Sequence, residues 1–378
     1  MTIYHIFIIT LCNMASLRAS KVLVTLFAIE LGANPFGIGV LVAMYSVFPM
    51  LLALHAGRLS DRFGVVVPMT LGSFGAACGL LVPYLFPVLP GLYASAAAIG
   101  ASFVFYHVSI QNLMGILSAP HERTRNFASY SLMLSVGGFL GPLIAGFGID
   151  ALGHARTYLV LAALPLVPVV ILLATAGRIP RPRAQRAEEG AKKLGDLWRN
   201  APLRRVFITS GVVLTGIDLY QFYMPIHGHS VGLSASVIGV VLSMFAAAGF
   251  VVRAVIPALV RKAGEETLLT YALLLGAATY LAMPFFSSAW LLGMMSFMLG
   301  LGLGCGQPLS MMLTFSRSPS GRSGEALGMR LAVNNFTHVV VPLVFGTVGT
   351  AFGLLPVFWI NAALLAGGGY VMRGGQRT

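Results

Sequence analysis

The sequence predicts an all-α integral membrane protein of twelve transmembrane helices, arranged as two pseudo-symmetric six-helix bundles. Three observations carry that prediction. Hydrophobic residues make up 57% of the 378 and charged residues only 9%, with a mean hydropathy of +0.86, so lipid is the expected solvent for most of the surface. Apolar runs of about 20 residues, the length that crosses a bilayer, recur about a dozen times with short connections. The two halves also match one another under a single gapless displacement.

Taken in order, and bounded by Gly, Pro and charged breaks, the first six spans fall near 5–31, 36–56, 66–87, 91–117, 126–149 and 156–177. The first has no basic leader, and its apolar pattern continues through Val22 to Leu31 instead of stopping at a cleavage site. It therefore reads as a span and not as a signal peptide. The most polar stretch of the chain follows, with Arg181, Pro182, Arg183, Glu188, Glu189, Lys192 and Lys193. It serves as a basic cytoplasmic linker over 178–204, joining a bundle of residues 1–177 to one of 205–378. Spans seven to twelve fall near 205–228, 234–259, 267–286, 290–316, 324–351 and 355–372.

Alternating the connections between two sides gathers the loop Lys and Arg on one side and leaves only Arg156 on the other. Basic loops stay inside, so both termini are expected in the cytoplasm and the protein in a bacterial inner membrane. That clustering also accounts for the net charge of +13 without nucleic acid. Cys12, Cys78 and Cys305 are far apart in apolar stretches and read as packing residues. No H-E-x-x-H, G-x-S-x-G or phosphate-cradling G-x-x-x-x-G-K-S/T pattern occurs, so neither enzyme activity, a cofactor nor ATP-driven work is expected. His227 and His229, at a span end without an acidic neighbour, make a poor metal site.

Displacement by 200 residues superposes Gly32, Ile38, Gly39 and Val40 on Gly232, Ile238, Gly239 and Val240. The same register pairs Gly64 with Gly264, Gly100 with Gly300, Pro142 with Pro342, Gly146 with Gly346 and Gly153 with Gly353. Two six-helix repeats related by an internal axis follow.

Between spans two and three stands Gly57-Arg58-Leu59-Ser60-Asp61-Arg62-Phe63-Gly64. It resembles the G-x-L-a-D-R-x-G signature of the major facilitator superfamily, and with the repeat and the span count the resemblance covers the whole chain. The basic residues that usually follow are here Val65 and Val66, and the second-half copy has Arg261 where the first has Asp61. Only the first copy is expected to gate, through Gly57, Asp61, Arg62 and Gly64, with Arg330 as the candidate partner of Asp61. In span five, Gly137-x-x-x-Gly141-Pro142-x-x-Ala145-Gly146 resembles the motif of that superfamily's exporters. Small residues four apart let two helices approach closely, and the proline frees a backbone carbonyl and bends the span, so Gly137, Gly141 and Pro142 join the gating set. The superfamily's fourth-span arginine is absent, Ala96 standing in its place.

Ionisable residues inside a span are costly and usually face a cavity or a partner. Arg18 and Lys21 share one face of span one; their repeat mates, Asp218 and Gln221, share a face of span seven. Equivalent positions on central helices face each other across a pseudo-two-fold axis, making Arg18 and Asp218 potential partners. His107 and Gln111 in span four and Gln307 in span ten extend the polar belt. These seven are the expected substrate-binding residues, with Asp218 the group that exchanges protons. Asn334, Asn335 and His338 in span eleven are expected to bridge neighbouring helices. Arg253 can snorkel and is left out of the site.

The resemblance implies a secondary transporter of a small organic molecule, drawing on a proton gradient, working by alternating access as a monomer in the bilayer. Export is favoured by the span-five motif. Proton-coupled import of an organic anion is the alternative, favoured by the excess of mid-span positive charge, with a non-transporting receptor or enzyme a distant third.

Overall fold

The computed structural model describes residues 3–117, 123–178, 195–319 and 323–373, and among them all regular structure is helical. Among the described residues twelve segments are long and apolar enough to cross a membrane. The chain is a multi-pass membrane protein. Its helices are α1 (Ile3–Glu30), α2 (Pro35–Phe63), α3 (Val66–Leu85), α4 (Leu89–Leu117), α5 (Arg123–Leu152), α6 (His154–Thr175), α7 (Gly195–Arg199), α8 (Ala201–Ser230), α9 (Ala235–Ala263), α10 (Glu265–Ala282), α11 (Ala289–Gly304), α12 (Gly306–Ser316), α13 (Ser323–Phe352) and α14 (Leu354–Arg373).

Three boundaries differ from those expected, each for a local reason. Helix α2 does not stop near residue 56: nothing after Pro49 breaks it, so it continues past its apolar window as a polar helix until Gly64 takes φ +79°. The expected tenth span is two helices, because Pro308 has no N–H to offer the Gly304 carbonyl and the backbone breaks between α11 and α12. Part of the expected linker is ordered: in α7, Leu197 is buried and Trp198 stacks on Phe207 of α8 at 6.1 Å between ring centres. Residues 179–194 of that linker lie outside the described residues.

The chain folds as two compact units, Met1–Arg186 with Gly232–Ser243, and Ala187–Val231 with Met244–Thr378. The opening turns of α9 therefore cluster with the first unit. In that unit α1 packs on α5 and α6, α3 on α4 and α6, and α2 on α4. In the second, the corresponding pairs are α8 with α13 and α14, and α10 with α11 and α14. Large apolar side chains such as Leu71, Phe74, Val170 and Leu173 point outward, as a lipid-facing surface requires.

The repeat is written into the backbone. Among the described residues the positive-φ positions are all glycine and form three pairs 200 residues apart: Gly32 and Gly232 (φ +78° and +82°), Gly64 and Gly264 (+79° and +77°), Gly153 and Gly353 (+80° and +81°). A Cβ at any of the six would meet nothing within 4 Å, so the left-handed conformation and not space is what requires glycine there.

Candidate functional site

The polar chemistry of the second unit lies along the seam between α8 and α13. Arg330, Asn334 and His338 are spaced by four on α13 and share one face, over about 12 Å of helix at 1.5 Å per residue. On α8, Ser210 and Asp218 are also two turns apart on one face. The two faces meet in matching order, Ser210 against Arg330 and Asn334, then Asp218 against His338.

Arg330 is 6% exposed. Its Nη1 donates to Gln307 Oε1 at 3.0 Å, Ser310 Oγ at 3.2 Å and Ser210 Oγ at 3.4 Å, all neutral oxygens. Asn334 accepts from Ser210 Oγ at 3.0 Å and donates to Gln307 Oε1 at 3.4 Å, so the amide oxygen of Gln307 is turned towards the cluster. Gln307 stands in the first turn of α12, directly after the break in span ten. That break is packed on three sides: a Cβ at Gly302 would lie 2.7 Å from the Ala272 carbonyl, at Gly304 2.7 Å from Gly249 Cα, and at Gly306 2.5 Å from a Val213 methyl.

One turn beyond Asn334, His338 Nδ1 and Asp218 Oδ2 are 2.6 Å apart, with the carboxylate 15% and the imidazole 36% exposed. An ionised carboxylate only accepts, so in that state His338 Nδ1 carries the hydrogen and Nε2 is left to take a further proton.

In the first unit the expected site residues lie on α1 and α4. Lys21 sits over the Tyr45 ring at 5.6 Å from the ammonium to the ring centre, a cation–π contact. His107 stacks on Phe103 and has its Nε2 3.2 Å from Gln111 Nε2. Arg18 borders the α1–α5 crossing: a Cβ at Gly141 would fall 2.5 Å from Arg18 Cβ and 2.9 Å from the Ala15 carbonyl, and one at Gly137 2.8 Å from Met14 Cβ. The opposite side of α5 meets α9. There the Pro142 carbonyl abuts Gly239, Ser243 Oγ donates to the Phe139 carbonyl at 2.8 Å, and the Asp150 carboxylate accepts from the Ala235 and Ser236 amides at 3.2 and 2.9 Å. Asp150 thereby caps the positive end of α9 from another helix.

Twelve spans in two repeats, with polar side chains buried between them, form the architecture on which membrane transporters are built. The Major Facilitator Superfamily profile matches residues 6–340, most of the chain. The chain belongs to that superfamily. It is similar to the class B tetracycline resistance protein of Escherichia coli, 22% identical over 337 residues covering 84% of this chain and 79% of the relative. It is also similar to human solute carrier family 67 member A1, 26% identical over 347 residues, with 87% and 81% covered. Its fold superposes on a POT family transporter solved with a thioalcohol-conjugated peptide, with a TM-score of 0.84, 12% identity and 99% and 96% of the two chains covered. Membership makes the chain a transporter and not an enzyme.

Within this superfamily member the Gly57–Gly64 signature forms the last two turns of α2 and its terminating glycine, with Arg62 exposed over the Phe63 ring. The Asp61 side chain lies outside the described residues. Arg330, expected as its partner, has its Nη1 on Gln307, Ser310 and Ser210. Asn334 and His338 both bridge α13 to α8, the first through Ser210 and the second through the one acidic residue of span seven. Sequence reasoning missed that pairing and the cap made by Asp150. The spacing by four of Arg330, Asn334 and His338 was the available signal for the first; for the second there was only an acidic residue at a span end.

Proposed function

We propose that the protein exports a small organic compound by alternating access, exchanging it for protons carried by the Asp218–His338 pair. The observation that carries this reading is the pair itself: a carboxylate and an imidazole in hydrogen-bond contact inside a membrane-spanning unit, two turns from a buried guanidinium. Taking up one proton turns a singly negative pair into a neutral one. Charge inside a bilayer is costly, so the two protonation states stabilise different arrangements of the helices around them, which is what coupling needs. Export is supported by the α5 motif, whose Gly137 and Gly141 fit against α1 while Pro142 and Gly146 fit against α9, and by the tetracycline resistance protein among the relatives.

Arg18, Lys21, His107, Gln111, Gln221 and Gln307 are assigned to substrate, and Gly57, Asp61, Arg62, Gly64, Gly137, Gly141 and Pro142 to gating. The protein works as a monomer in a bacterial inner membrane with both termini cytoplasmic. The second reading, proton-coupled import of an organic anion, is favoured by Arg18, Lys21 and the buried charge of Arg330.

Liposomes holding the protein and a pH-sensitive dye, challenged with organic acids and hydrophobic drugs, test the proposal. Proton movement opposite to substrate that disappears in Asp218→Asn is the expected result. Co-directional movement selects the importer. Substrate flux without any proton signal removes proton coupling.

A further inference from the structure

We infer that Arg330 and Gln307 form a binding site for the carboxylate group of the transported compound, an inference that rests on the transport reading above and gives it a substrate class. Three of the cluster's oxygens, Gln307 Oε1, Ser310 Oγ and Ser210 Oγ, take up a single nitrogen of the guanidinium, Nη1. The Nε–H is buried and has no acceptor among the described residues. Among the described residues every hydrogen bond of the guanidinium is made by Nη1, which leaves the Nε–Nη2 edge, whose two parallel N–H groups match the two oxygens of a carboxylate.

Gln307 offers a second donor for the same reason. Its Oε1 is held by Arg330 and Asn334, which turns the amide nitrogen away from them, and Nε2 is buried without an acceptor among the described residues. A group that accepts from both would complete the cluster. Charge points the same way: a guanidinium stays protonated in a protein, its partners here are neutral, and Asp218, on the same seam, is engaged by His338. Among the described residues no carboxylate contacts the guanidinium, and burial without a counter-charge is unfavourable, so an anion gains affinity by supplying one.

The surroundings hold the fork ready. Ser210, Ser310 and Asn334 fix the orientation of Arg330 and Gln307 before a ligand arrives, which lowers the ordering cost of binding. Gln307 also lies in the first turn of α12, so the positive end of that helix adds to the same field. His338 is two turns from Arg330 on the same face, placing the carboxylate site and the proton-carrying pair on one continuous track.

The test uses purified full-length protein in phosphatidylcholine nanodiscs, with benzoate as probe and benzamide as its uncharged analogue of similar shape, read by calorimetric titration and by the thermal unfolding midpoint. Saturable benzoate binding is expected, with benzamide at least tenfold weaker. Arg330→Lys keeps the charge but not the fork and is expected to weaken benzoate by about tenfold or more; Gln307→Met is expected to weaken it less. Absence of benzoate binding, equal binding of benzamide, or unchanged affinity in Arg330→Lys overturns the inference. Binding that emerges only in Asp61→Asn overturns it too, by assigning the edge to that carboxylate. The two readings fail separately. Proton-coupled movement of uncharged compounds alone, without benzoate binding, leaves transport standing and removes the carboxylate site; benzoate binding without any proton signal does the reverse.

Discussion

The two units share a backbone plan and bury different things. In the second, Arg330, Asn334 and His338 line a polar seam with Ser210, Ser310 and Asp218. Two hundred residues earlier the corresponding positions are Tyr130, Leu134, Gly138, Thr10, Ile110 and Arg18. There Tyr130 and Ile110 belong to an apolar cluster with Ile6, Ile9, Met69, Tyr106 and Leu113, and Leu134 packs against it. A repeat has to keep what the backbone demands, the left-handed turns and the close crossings, whereas side chains on equivalent faces are free to diverge. Here one copy carries a polar chemistry around Arg330 and Ser310, and the other builds a core at those places while keeping a charge at Arg18.

That asymmetry is broken most completely at Asp218. Asp218→Asn removes the carboxylate proposed to carry the proton while leaving a neutral amide for His338, so no charge is stranded and the fold is expected to persist. Proton-coupled flux should fall on the order of a hundredfold, the usual contribution of a positioned proton-transfer group, with the unfolding midpoint little changed. Retained coupling would move the proton-carrying role out of the second unit.

Next in size is a contrast within α5. Gly141→Ala would drive a methyl group to 2.5 Å from Arg18 Cβ and 2.9 Å from a backbone carbonyl, so α1 and α5 must separate. Overpacking of this kind costs about 1 to 3 kcal/mol, read as a lower unfolding midpoint. Gly138→Ala, three positions earlier, meets nothing within 4 Å and should be tolerated. Equal effects would mean that α5 is not held at this crossing.

How much of this could be read in advance follows from the same comparison. The span count, the repeat and the turn glycines were legible because each is a backbone constraint repeated at a fixed displacement. Asp218 stood out as an acidic residue within an apolar run. Its partner did not, because His338 is 120 residues away and the repeat mate of His338 is Gly138, so nothing in the first half echoes it. Pairing those two side chains needs the rotation of α8 and α13 about their axes, and helices that are apolar on every side carry little periodicity to set it. The extension of α2 past residue 56 was hidden for a related reason: composition turns polar where the helix leaves its apolar window, although the backbone continues unchanged to Gly64.

An effect of similar size measures how closely the copies agree. Gly64→Ala and Gly264→Ala each force a Cβ onto a positive-φ backbone that favours glycine, where no other part of the chain crowds it, at about 1 to 3 kcal/mol apiece. The two losses of midpoint should match. A much larger loss at Gly64 would show that the signature around it holds the first turn in place beyond its conformational need.

The smallest expected effect concerns how α2 and α9, repeat mates, are capped. Helix α2 is capped by its own Asn34, whose Oδ1 accepts from the Gly37 amide at 2.8 Å. At the equivalent position Ser234 Oγ accepts from the Val237 amide of α9 at 3.4 Å, and the Ala235 and Ser236 amides are capped in addition by Asp150 from α5. Asn34→Ala and Asp150→Ala should each cost about 1 kcal/mol or less, because both caps are exposed and compete with water. Their salt dependence should differ. The Asn34 cap is uncharged and its loss should be the same at low and high ionic strength, whereas the Asp150 cap sets a full charge on a helix end and its contribution should shrink as salt is raised. A salt-independent loss in Asp150→Ala would reduce that residue to local packing and remove one electrostatic difference between the halves.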